Sequence, residues 1–128
     1  MSEIPRLDPI AVQKALSSPP FVVVEGVINI RDVGGYPIQS KPSLVVKPGS
    51  IFRSGDLSRI TDLGKKQIHA LGIKTIFDLR SDLEIQTYKT QPVGIDGVET
   101  VRVPVVVQGF DPGNIVATLV CWQALRWS

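Results

Sequence analysis

The chain has 128 residues, 43% of them hydrophobic and 20% charged, with a formal net charge of +2; this is the balance of one domain with a sizeable core. Its lysines and arginines are scattered, so no basic tract tracks a nucleic-acid backbone and nucleic acid is not an expected partner. A single cysteine excludes an internal disulfide and fits a reducing compartment.

Met1 to Arg6 lacks the basic-then-apolar pattern of a secretory signal. The longest apolar run near the C-terminus, Ile115 to Trp122, falls short of the ~18–20 residues that span a bilayer. No membrane span is expected, and the expected location is cytoplasmic or nuclear.

Asp8-Pro9 predicts a helix cap with proline at the first helical position, and Ile10, Val12, Ala15 and Leu16 its apolar side. Ser17 to Pro20 stops that helix. Phe21 to Val24 is β-branched and apolar and predicts a strand, bending at Gly26 before Val27-Ile28. Gly34-Gly35 marks a turn and Pro37 to Pro42 a loop. Lys47 to Ser50 reads as a tight connection between antiparallel strands at Leu44–Val46 and Ile51-Phe52. The first half is therefore expected to be a β-rich meander.

In the second half, Thr61 predicts a helix starting at Asp62, with Leu63, Ile68, Ala70 and Leu71 buried and Gly72 as its left-handed stop. Ile73 to Leu79 reads as a buried strand, Leu83 to Lys89 as a short helix, and Val98 to Val106 as another strand. Helix, strand, helix, strand in that order favours an α/β architecture. Residues 113–128 show no clean helical stripe.

Three phrases carry chemistry. Asp78-Leu79-Arg80 should emerge at the carboxyl end of a buried strand, where open α/β sheets gather ligands. An aspartate there can act as a general acid or hold an arginine, and an arginine can clamp two phosphate oxygens. Taken alone, the triplet is better explained as a structural ion pair. Arg31-Asp32 before Gly34-Gly35 repeats that chemistry on a turn whose backbone can approach a ligand. Arg53-Ser54-Gly55 adds a guanidinium and a hydroxyl, or simply ends a strand. His69 is the sole histidine, and without partners at ligand spacing no metal site is expected.

Cys121 has four residues between it and Arg126, bulky apolar neighbours and no glycine. A phosphate-cleaving thiolate needs a loop of converging N–H groups and a nearby arginine. Cys121 is expected to be inert.

In order, Asn29 to Gly35, Arg53-Ser54, Ile60-Thr61, Leu71-Gly72-Ile73 and Asp78 to Glu84 resemble the N-terminal half of the tyrosine/serine protein phosphatases of bacteria and fungi. The likeness spans roughly residues 26–106. It implies a metal-free, cofactor-free phosphatase that attacks phosphorus with a cysteine thiolate, acting on a phosphorylated protein or a phosphoinositide-type substrate. By position, Arg31, Asp32, Arg53 and Arg80 would line or buttress the substrate pocket, and Asp78 would assist the leaving group as general acid. That family's histidine-cysteine loop, with five residues between cysteine and arginine, has no counterpart here. Without it there is neither nucleophile nor oxyanion donor cluster.

The expectation is thus an α/β, partial phosphatase-like fold: a central mixed β-sheet with flanking helices, truncated before the catalytic cysteine loop and inactive as it stands. Residues 1–20 would form a helix and linker, 21–112 the N-terminal part of a phosphatase-like domain, and 113–128 a divergent tail. With covering helices missing, Ile76, Phe77, Val103 and Val105 would be exposed. A non-catalytic phospholigand-binding module is the alternative. A rhodanese-like sulfurtransferase ranks below it, because Arg53-Ser54 and the Arg31 to Gly35 phrase have no counterpart there.

Overall fold

Each helix starts where a short polar side chain accepts from the first turn. In the computed structural model, which describes residues 6–104 and the backbone of residues 125–126, α1 runs over Pro9–Leu16 and Asp8 accepts from the Ile10 and Ala11 amides at 3.2 and 3.3 Å. The second helix, α2 (Asp62–Ala70), is capped by Thr61, and Gly72 follows it at φ 74°. The third, α3 (Asp82–Tyr88), carries a reciprocal cap: the Glu84 amide donates to Ser81 Oγ, and the Ser81 amide donates back to Glu84. These three starts follow the sequence reading closely.

Among the described residues the strands fall into three small sheets. β1 (Arg31–Asp32) pairs antiparallel with β4 (Phe52–Arg53), and β2 (Pro37–Ile38) pairs antiparallel with β3 (Lys41–Val45). The third sheet has the order β6-β5-β7: β5 (Thr75–Asp78) is flanked by β6 (Glu99–Arg102) in parallel and by β7 (Leu125–Arg126) antiparallel. The whole is a small mixed α/β arrangement.

Several expectations differ from what is observed. Phe21 to Val24 is not a strand. Its backbone is split between a bridge to Arg31, the Val22 amide donating to the Ile30 carbonyl, and a turn closed by the Val27 amide on the Val24 carbonyl. The turn is held by Gly26 at φ 81°, where a Cβ would stand 2.0 Å from the Arg59 carbonyl oxygen. Residues 37–42 are not a loop but the start of the β2–β3 hairpin. Hence Lys47 to Ser50 joins strands of different sheets, because β3 turns back on β2 while β4 joins β1.

The buried side of α2 is Gly64 and Ile68, whereas Leu63 and Ala70 face solvent. Gly64 is inside because the Glu25 carbonyl lies against it, leaving no room for a side chain. Finally, Ile76 is buried and Phe77 half-buried; Val103 is exposed, and Val105 lies outside the described residues.

One core unites the two halves. Val24, Val27, Ile30, Phe52 and Leu57 pack with Ile68, Ile73, Ile76, Ile95 and Val98. Burying a large aliphatic side chain contributes about 1.5–3 kcal/mol, so this shared cluster holds β1 and β4 against α2 and β5. By contrast α1 buries nothing; Ile10 is 77% exposed. Its apolar stripe does not reach the core.

Candidate functional site

The carboxyl end of β5 delivers Asp78 and, two residues on, Arg80. Both are buried, at 2% and 6% exposure. Arg80 closes a two-pronged pair on the carboxylate, Nε to Oδ1 at 2.9 Å and Nη2 to Oδ2 at 2.7 Å, while its own amide donates to Oδ1 at 3.1 Å. Its remaining nitrogen, Nη1, donates to Asp56 Oδ1 at 2.9 Å and Thr90 Oγ1 at 3.0 Å. All three guanidinium nitrogens thus donate to protein acceptors.

Burial pushes the Asp78 carboxyl up. The side-chain and backbone hydrogen bonds from Arg80, then the charges of Arg80 and Arg102, outweigh that and hold it below the usual carboxylate range. The carboxylate is therefore ionised near neutrality. An ionised group bonded at both oxygens fits a strut or a base better than a proton donor. A small cleft opens beside the pair, lined by Ser58, Gln91, Val93 and Thr100 as well as the ionic residues.

The sheet edge here is tied down further. Arg102 Nη2, from the end of β6, donates to the Arg80 carbonyl at 3.1 Å and meets Asp82 at 2.7 Å, and the Val103 amide donates to the Asp78 carbonyl. The loop between β5 and α3 is thereby fixed from the neighbouring strand.

A second cluster sits on β1 and β4. Arg31 and Arg53 are direct cross-strand partners, a placement that sets two like charges on the same face of the ribbon. Arg31 donates to Asn29 Oδ1 at 2.7 Å and lies over the Phe21 ring at 6.0 Å. Burial, and then the Arg31 charge opposite, lower the Arg53 guanidinium from its ordinary value; it stays charged at any physiological pH.

Asp32 turns away to the loops. One of its oxygens accepts from the Gly34 amide at 2.8 Å and the other from the Gly49 amide at 2.6 Å, so it binds the two turns together. Gly34 is required there, since a Cβ would stand 2.4 Å from Pro48 Cα.

Of the residues singled out by sequence, then, Asp78 meets Arg80 and Arg31 meets Arg53, while Asp32 serves a turn. The segment 53–56 runs from one cluster to the other. Asp56, which sequence reasoning passed over, is the link: it accepts from Arg80, from the Ser58 amide at 3.1 Å and from the Ser58 hydroxyl. Its signal was the Asp-x-Ser spacing of a side-chain-closed turn directly after Gly55. Thr90 and Arg102 were also missed, and nothing local marks them. His69 is exposed in the last turn of α2, and Cys121 lies outside the described residues.

Comparison with known proteins bears on this geometry. The sequence profile described as the tyrosine phosphatase family matches residues 22–124. The chain belongs to the tyrosine phosphatase family. Within that family, it is 38% identical over 60 residues to the triple specificity protein phosphatase PtpB of Mycobacterium tuberculosis (strain ATCC 25618 / H37Rv). The aligned stretch is 47% of this chain and 20% of that relative, so the match spans about a fifth of the PtpB length. Both ionic clusters of this tyrosine phosphatase family chain, Arg31 with Arg53 and Asp78 with Arg80, lie inside the profile match.

Proposed function

We propose that this chain supplies the anion-recognising scaffold of a cysteine-dependent phosphomonoester phosphatase acting on phosphorylated proteins or phosphoinositide-type substrates. The observation that carries the reading is the Arg31–Arg53 register inside the family match. Two guanidiniums set opposite each other repel, and a phosphate dianion between them would relieve that repulsion while accepting charge-assisted hydrogen bonds.

In this reading Arg31 and Arg53 line the substrate side, and Asp32 buttresses their ribbon through its turns. Asp78 and Arg80 position the sheet edge without touching the phosphate. Asp78 then does not act as general acid, because the groups bonded to it favour the ionised form. The sequence contains no cysteine followed by five residues and an arginine, so the 128-residue polypeptide by itself does not turn substrate over.

The test is steady-state hydrolysis of an aryl phosphate by the purified chain, beside Cys121→Ser. The expected rate equals the buffer rate for both. Turnover that Cys121→Ser abolishes would refute the reading.

A second reading is favoured by the same arginine pair: a module that holds a phospholigand without cleaving it. Titration with phosphopeptides and inositol phosphates at physiological salt tests whether the arginine pair holds such a ligand. Binding lost in Arg53→Ala but kept without turnover supports the module, and no binding at that salt excludes it.

A further inference from the structure

We propose that Asn29 is a positioning residue for the anion site, its amide oxygen aiming the Arg31 guanidinium without cancelling the charge. The inference rests on the reading of Arg31 and Arg53 as the pair that holds phosphate, and adds how one of them is aimed.

The first observation is conformational. Asn29 stands at φ 57°, in the left-handed region that disfavours residues with a Cβ and that asparagine tolerates better than most. Among the described residues the other non-glycine residue there is Lys89, which ends α3, where such a turn is routine. Asn29 ends no helix. Its neighbours hold it in place: the Gly55 amide donates to the Ile28 carbonyl at 2.9 Å and the Val22 amide to the Ile30 carbonyl at 3.0 Å, and Ile30 is buried in the core. A strained backbone fixed from both sides points to a use.

The second observation is what the turn delivers. Asn29 Oδ1 accepts from Arg31 Nη1 at 2.7 Å, and the Phe21 ring lies 6.0 Å from Arg31 Cζ. The Arg31 backbone is fixed as well, by its bridge to Phe21 and its register with Arg53. The bond from Gly55 to Ile28 ties the two arginine segments together a second time. The aim of Arg31 is therefore set before a ligand arrives.

The third is charge. Arg80 is held by the carboxylates of Asp78 and Asp56, which compensate it. Among the described residues no carboxylate pairs with Arg31, and its neighbour Asp32 accepts from the Gly34 and Gly49 amides instead. A neutral amide oxygen and an aromatic ring steer a guanidinium and leave its charge for an incoming anion. A carboxylate at position 29 would steer it equally well and compete with the phosphate. Asparagine combines tolerance of positive φ with a neutral acceptor.

Inorganic phosphate titrated into the full chain, followed by amide resonances, gives the dissociation constant of the parent and of each variant. Asn29→Gly keeps the turn and removes the acceptor. Its constant should rise about fivefold, the loss of one hydrogen bond, with the urea midpoint unchanged or higher. Asn29→Asp keeps the acceptor and adds a charge, and should raise the constant roughly tenfold at low salt and less at physiological salt. Parent affinity in both variants would overturn the proposal and leave the arginine pair standing. So would parent affinity in Asn29→Asp alone, or a loss in Asn29→Gly that comes with a lower urea midpoint. Arg31→Ala tells the two failures apart: it should weaken phosphate binding at least as much as Asn29→Gly. If Arg31→Ala binds as the parent does, or the parent binds no phosphate at low salt, the arginine-pair reading itself fails.

Discussion

Replacing Asp78 by Asn keeps the shape of the side chain and removes the charge that Arg80 is built around. Two of the three donors on the carboxylate come from the guanidinium, at 2.9 and 2.7 Å. An Asn amide can accept one of them and must turn its own N–H₂ toward the other. The result is a buried cation with an incomplete partner, a change that costs about 3–5 kcal/mol. Against a typical total of ~5–15 kcal/mol, that is a large fraction. Urea unfolding followed by far-UV circular dichroism should show a midpoint about 2 M lower, for a slope near ~2 kcal/mol/M. The paired replacement Asp78→Leu with Arg80→Met should cost less than Asp78→Asn alone, since neither charge is left orphaned and Asp56 can be hydrated. If Asp78→Asn stays within about 0.5 kcal/mol of the parent, the range of an ordinary surface change, the buried strut is not what fixes this sheet edge.

Because the Asp78 carboxyl is held below its ordinary value in the fold, its contribution is fully present above the unfolded value of about 3.9 and is lost as pH falls through the folded one. Stability measured against pH should therefore drop on the acid side, and Asp78→Asn should flatten that limb. Ser81→Ala removes one half of the reciprocal cap on α3 and should cost ~1 kcal/mol in the same unfolding assay. Gly26→Ala must place a methyl against the Arg59 carbonyl at a positive φ; a loss above ~1 kcal/mol is expected. Lys65→Ala breaks only an exposed pair with Asp62 and should change stability by less than ~0.5 kcal/mol.

The helices were legible because their signals are local. Asp8 and Thr61 each announce a start, and Gly72 a stop. The strand–helix–strand order from β5 to β6 was also foreshadowed, as a helix lies between two apolar runs. The first half was read less well for a physical reason: its segments bond to distant chain, not to their neighbours. Phe21 to Val24 has the composition of a strand but shares its backbone between Arg31, Ile30 and its own turn. Pro37 to Pro42 has the composition of a loop, yet its prolines fall where a two-stranded ribbon can spare the amide. In the site, Asp78 and Arg80 were found together because they are two residues apart. Asp56 and Thr90 reach the same guanidinium from 24 and 10 residues away, and a single sequence does not record such meetings. The exposed stripe of α1 was misjudged for the opposite reason, since a helical period says that a face could be buried and not that anything lies against it.

The division of labour between the two arginine clusters can be tested directly by titrating inorganic phosphate into isotopically labelled protein and following its amide resonances. Shifts should centre on Arg31, Asp32, Phe52 and Arg53, with Asp78, Leu79 and Arg80 nearly still. Shifts centred on residues 78–80, with the β1–β4 ribbon unmoved, would contradict the assignment of the anion to Arg31 and Arg53.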